Sequence, residues 1–220
     1  MIGPMEPTRI LAIRHGETAW NVDTRVQGHL DIPLNTTGRE QARRLARVLA
    51  GREPIEAIYS SDLSRALATA RAVAETTGAS LETRTGLRER CFGALQGRKF
   101  TEVSAADPAL AERWRRREPA WTPPGDGGES LLRFRQRVLT TAEALAARHI
   151  GQSIALFTHG GVLDVLYRAA TGLELQSPRT WQIGNTAVNR LLWTPDSGFS
   201  LVGWADTMHL EDEALDERVA

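Results

Sequence analysis

Short apolar runs alternate with longer amphipathic stretches along most of this chain, and that alternation constrains its fold more than any other feature. TRILAI (8–13), IEAIY (55–59) and SIALFT (153–158) read as buried strands. Residues 37–50 place Ala42, Leu45, Ala46 and Leu49 on one helical face, with Thr37 and Glu40 in a capping-box pattern. Residues 62–77 predict a second helix, with Leu63, Leu67, Ala70 and Ala74 on one stripe and Gly78 as its stop. A third spans 130–148 with Phe134, Val138, Ala142 and Leu145 inward, and a fourth covers 162–171. A weak strand is predicted near 80–84. Strands at 186–193 and 199–204 flank Pro195-Asp196-Ser197-Gly198, turn chemistry that predicts an antiparallel hairpin. The fold class that follows is α/β, a three-layer α/β/α sandwich whose mostly parallel sheet carries an antiparallel strand.

The 220 residues suit one domain, with 98–128 as an insertion over one end of the sheet and 206–220 as an acidic tail. That insertion predicts a short helix and then a loop, and holds the basic run RWRRR (113–117) and Pro108, Pro119, Pro123 and Pro124. Lys+Arg and Asp+Glu each total 27, so no net charge draws the chain to nucleic acid or an anionic membrane, and any anion site is local. One cysteine, Cys91, excludes an internal disulfide and a CxxC zinc site. The first residues lack an apolar signal core and no apolar run approaches ~20 residues, so cytoplasm is the expected compartment.

The first and third strands end alike. LAI-RHG and LFT-HGG each place a histidine just past an apolar strand, followed by glycine. Ligands of open α/β sheets bind outside the carboxyl ends of strands. If the two strands are neighbours, His15 and His159 face one crevice, with Arg14 beside the first and Arg65 (in SSDLSRA) at the same end. Two guanidiniums, two imidazoles and close backbone donors suit a phosphoryl group, which guanidinium binds bidentately. A neutral imidazole can attack phosphorus, and adjacent arginines favour the neutral form. A carboxyl group would then protonate the leaving oxygen. Glu17, Glu89, Glu102 and Glu129 are comparable candidates; Glu129 also suits a helix start beside Ser130, and Ser61 and Asp62 read as caps.

These motifs resemble the histidine phosphatase superfamily, also called phosphoglycerate mutase-like. The resemblance rests on LAIRHGETAWN, QGHLDIPLNTTGREQA, YSSDLSRALATA, LRERCFGALQG, PGDGGES and FTHGGV, in order over nearly the whole chain. It implies that His15 becomes a phosphohistidine, that Arg14, Arg65 and His159 steady the transferring group with Asn21 and Gly160, and that Glu89 is the general acid/base. Gln27, Gly28 and Thr158 match positions lining the pocket. It implies no metal and no cofactor.

Branches of the family differ in whether water or a glycerate receives the phosphoryl group. The short segment between Glu89 and His159 favours hydrolysis, so the expected activity is a phosphomonoesterase acting on small phosphorylated metabolites, with a homodimer through an exposed sheet edge as one expected assembly. The alternatives are a bisphosphoglycerate-dependent phosphoglycerate mutase and, in another class, a non-catalytic phosphate-binding scaffold. In RWRRR, one of Arg115, Arg116 and Arg117 grips an acidic group of the substrate, or the run is solvated helix surface. Trp114 and Trp121 cover the mouth of the site or pack elsewhere, Cys91 is a packing residue, and His209 folds back over the entrance.

Overall fold

A computed structural model describes residues 6–52 and 54–211. In chain order its elements are β1 (Thr8–Arg14), α1 (Ala19–Val22), α2 (Thr36–Arg52), β2 (Ala57–Ser60), α3 (Ser64–Thr77), β3 (Ser80–Thr83), α4 (Phe100–Ala106), α5 (Pro108–Arg115), α6 (Leu131–Ala147), β4 (Ser153–Thr158), α7 (Gly160–Thr171), β5 (Val188–Thr194) and β6 (Gly198–Asp206). The sheet order is β3-β2-β4-β1-β5-β6. Pairings from β3 to β1 are parallel, and β5 runs against both β1 and β6. It is therefore the mostly parallel α/β sheet with one opposed strand that the residue pattern predicts.

The two central strands are buried on both faces, and their side chains alternate between two cores. Ile10 and Ala12 of β1, with Ile154 and Leu156 of β4, pack beside Phe134 and Val138 of α6 and Leu163 and Leu166 of α7. Leu11 and Ile13, with Ala155 and Phe157, pack beside Leu45 and Leu49 of α2 and Ala70 and Val73 of α3. Phe134 is fully buried, and truncating such a ring costs about 3–5 kcal/mol. The parallel register pairs Arg9 with Ser153 and Arg14 with Thr158, so β1 and β4 end level with one another.

Several local details differ from the residue pattern. The start of α2 is held by Asn35, whose Oδ1 accepts the Gly38 N–H at 2.8 Å, instead of by Thr37 and Glu40; Glu40 faces Arg43 and Arg44 on the surface. The buried stripe of α3 is Arg65, Ala66, Thr69, Ala70 and Val73; of the predicted stripe Ala70 lies on it and Leu63 is buried just before the helix, while Leu67 and Ala74 are half-buried. Gly78 does end α3, in the left-handed region. Ser130 caps α6 through its Oγ, which accepts the Arg133 N–H at 3.2 Å. The 98–128 segment holds two short helices, α4 and α5, instead of one, and Leu95, Val103, Ala111 and Trp121 give it a small core of its own. The acidic stretch from 212 onward lies outside the described residues. Among the described residues no helix is long and apolar enough to cross a membrane.

Candidate active site

Level strand ends bring His15 and His159 together, their ring centroids 5.2 Å apart. His15 is 3% exposed and His159 is not exposed at all. The His15 N–H donates to the Thr158 carbonyl at 3.0 Å, continuing the ladder one residue past β1. The His15 ring then sets its own tautomer. Its Nδ1 lies 2.7 Å from the Gly16 carbonyl, which only accepts, so Nδ1 carries the proton and Nε2 keeps a free lone pair. Burial first, then the charges of Arg14 and Arg65, hold this imidazole well below its ordinary value of 6.5. His159 is held well below it too, by burial and then by Arg65, His15 and Arg14. Both rings are neutral at physiological pH.

The two arginines reach the rings from different elements. Arg65, in the first turn of α3, is 1% exposed and donates from Nη1 to the Leu30 carbonyl at 2.9 Å and from Nη2 to the Gly28 carbonyl at 2.8 Å. Arg14, the last residue of β1, donates to the Ile183 carbonyl at 2.6 Å. Burial lowers both pKa values, that of Arg65 to about 10, which leaves them cationic at pH 7. Among the described residues, Arg14 Nε, Arg65 Nε and His159 Nδ1 are buried without a hydrogen-bond partner. Buried donors left unpaired are costly, and an oxyanion would satisfy them.

Glu89 completes the arrangement. Its Oε2 accepts the Gly161 N–H at the start of α7 at 2.9 Å, and its Oε1 accepts the Arg90 N–H at 2.8 Å. A Cβ at Gly161 would meet Glu89 Oε1, so a larger residue there would displace the Glu89 carboxyl. The other acids are engaged elsewhere: Glu17 with Asn35, Glu102 with Arg25, and Glu129 with Arg137. Glu89, Arg14 and Gly160 line a cavity of about 760 Å³, whose outer wall includes Arg90, Trp114, Arg117, Asp164, Arg179 and Trp181.

The remaining sequence candidates divide. Asn21 lies close by: its Oδ1 accepts from Thr18 and, at 3.4 Å, from Asn185, whose amide also donates to the His15 carbonyl at 2.9 Å. Gln27 is buried with its Oε1 unpaired, and Gly28 orients Arg65 through its carbonyl. Thr158 does not face the crevice. Alternation along β4 turns its side chain away from His159, and its Oγ1 donates to the Leu87 carbonyl at 2.8 Å. Arg115 and Arg116 are exposed and paired with Glu112, one turn back on the same helix. Arg117 is the arginine of that run which reaches the cavity. Its φ of 53° breaks the helix, and its Nη2 meets Asp164 of α7 at 2.6 Å.

Trp114 lines the cavity, whereas Trp121 belongs to the small core of the 98–128 segment. Cys91 is buried. His209 does not cover the entrance; it lies beside Arg44 and Arg47 of α2, with Nε2 3.1 Å from Thr186 Oγ1. Asp62 pairs with Arg88 instead of capping α3. Ser61 has a larger part than a cap, since its Oγ lies 2.8 Å from His159 Nε2. Ser61, Asn185, Arg90 and Arg179 escaped the residue pattern. Only the SSDL strand end offered a signal, for Ser61.

Residues 10–207 match the family model described as histidine phosphatase superfamily (branch 1). Phosphoglycerate mutase-like protein 4 of Arabidopsis thaliana is 38% identical over 205 residues, covering 92% of this chain and 87% of that protein. The metal-independent phosphoserine phosphatase of the same plant is 33% identical over 214 residues, covering 97% and 87%. Among solved structures, a mycobacterial glucosyl-3-phosphoglycerate phosphatase superposes with a TM-score of 0.79 at 32% identity, over 91% of this chain and 100% of that one.

Proposed function

The chain belongs to the histidine phosphatase superfamily, and on that premise we propose that it is a metal-independent phosphomonoesterase hydrolysing small phosphorylated metabolites through a phosphohistidine on His15. The observation that carries this reading is the buried, neutral His15, its Nε2 lone pair free, beside His159 and the unpaired donors of Arg14 and Arg65. Nε2 attacks phosphorus and the ester P–O bond breaks. The leaving oxygen takes a proton from Glu89, acting as the general acid. The Gly16 carbonyl holds the Nδ1–H as the ring becomes cationic. Arg14, Arg65 and His159 steady the oxygens of the transferring group. Water then gives a proton to Glu89, its oxygen attacks phosphorus, and the N–P bond breaks to release phosphate.

Beyond the phosphate, Arg179, which is exposed, and Arg117, which is paired with Asp164, both line the cavity. They fit a leaving group with a second anionic group, as in the phosphoserine and glucosyl-3-phosphoglycerate named for two relatives. Transfer to a glycerate instead of water is the second reading, favoured by the phosphoglycerate mutase-like relative. Incubation with a phosphate-labelled ester in EDTA should place base-stable label on His15 and release inorganic phosphate. Absence of label from His15 overturns the mechanism, and label that waits for a glycerate acceptor selects the mutase.

A further inference from the structure

The segment carrying Glu89 has no hydrogen-bond ladder of its own. After a 3-10 turn at Thr85–Leu87 it runs irregularly to Cys91. Backbone carbonyls in such a segment need partners from elsewhere, and here one side chain reaches three of them. Arg137 of α6 donates from Nη1 to the Gly86 and Arg88 carbonyls, both at 2.9 Å, and from Nη2 to the Glu89 carbonyl at 3.1 Å. Its Nε meets Glu129 Oε1 at 2.8 Å and its Nη2 meets Glu129 Oε2 at 2.7 Å. All five guanidinium donors are thereby used. Glu129 in turn accepts the Cys91 N–H at 3.1 Å, so the ion pair grips the chain on both sides of Glu89.

The neighbours of Arg137 hold the grip rigid. Phe134, three residues earlier on α6, lies under the guanidinium at 5.1 Å. Four residues later, Thr141 packs so closely on Gly86 that a Cβ there would overlap its Oγ1. His29 places Nε2 2.7 Å from the Glu89 carbonyl, from the opposite side of the chain order.

We propose that Arg137, anchored by Glu129, is a positioning residue that sets where the Glu89 carboxyl stands relative to the ester oxygen. This rests on the reading of Glu89 as the acid/base and adds what holds it in place. Lysine would keep the charge and lose the planar fork that spans three carbonyls and a carboxylate. A carboxyl displaced by ~1 Å loses on the order of 10²-fold in proton transfer. Arg137 makes no hydrogen bond to His15, His159, Arg14 or Arg65, so phosphate binding should be indifferent to it.

The test measures single-turnover formation of phosphohistidine from two esters. p-Nitrophenyl phosphate has a leaving group that departs without a proton, whereas glycerol phosphate needs one. Arg137→Met should slow formation from glycerol phosphate about 10–100-fold, and from the nitrophenyl ester by less than about threefold. The inhibition constant of inorganic phosphate should be unchanged, and Arg137→Lys should fall between. If Arg137→Met fails to fold, Arg137→Lys and Glu129→Gln carry the same comparison. Equal slowing of both esters, or of neither, overturns the proposal. Glu89→Gln separates the two layers: if it does not discriminate between the esters, the acid/base reading itself fails. If it discriminates while the Arg137 variants do not, only the positioning role fails.

Discussion

At the floor of the crevice, His15, His159 and Arg65 are almost fully buried, and each is placed by the end of a strand or the first turn of a helix. On its outer wall, Arg179 is exposed and comes from the irregular stretch between α7 and β5, while Arg117 follows a helix end in a left-handed conformation. The floor is held by backbone ladders that tolerate little movement. Its geometry therefore suits the one part common to all phosphate esters. Arg117 and Arg179 stand on connecting segments, where substitution alters contacts without disturbing the sheet. Chemistry is thus separated from recognition of the leaving group, and the two regions should respond differently to substitution.

The largest effect is expected at the floor. His15→Ala should lower kcat on the order of 10⁴-fold or more for every ester, since it removes the proposed phosphoryl acceptor. Steady-state hydrolysis of p-nitrophenyl phosphate reads it, and residual activity near the wild-type level would end the distinction drawn between the two regions. On the wall, Arg179→Met should raise KM about tenfold for an ester carrying a second anion and leave kcat unchanged. With p-nitrophenyl phosphate, KM should not move. An equal effect on both esters would place Arg179 at the phosphate instead.

A smaller effect concerns stability. His15 and His159 are neutral when buried, with pKa values well below 6.5, while the unfolded chain binds protons near that value. The unfolded state therefore gains protons first as pH falls, and stability drops below about pH 6.5, each ring contributing about 1.4 kcal/mol per pH unit until its folded pKa is reached. Urea midpoints at pH 7.5 and 5.5 should show a smaller fall for His159→Gln than for the wild type, and identical falls would mean that His159 is not held neutral. The least effect belongs to Arg115→Ala and Arg116→Ala. Both side chains are solvated and, among the described residues, paired only with Glu112, so stability should change by less than about 0.5 kcal/mol and kinetics not at all. A loss of substrate affinity in either would extend the wall to residues the structure leaves outside it.

The residue pattern alone determined the strands and the main helices, and it joined His15 to His159 on the condition that β1 and β4 are neighbours, which the sheet order meets. These depend on local rules: apolar runs with turn signals at their ends, and a ligand site at the carboxyl ends of parallel strands. The choice of acid came from resemblance, because Glu17, Glu89, Glu102 and Glu129 have similar local settings. Tertiary structure separated them by giving three of them other partners and standing Glu89 against the N–H of Gly161. It alone decided that Thr158 turns away and that, of Arg115, Arg116 and Arg117, the last turns in. Side-chain direction at a strand end depends on register, and direction at a helix end depends on where the last turn breaks. Both are settled by what packs against the element, and the residues doing the packing lie far away in the chain.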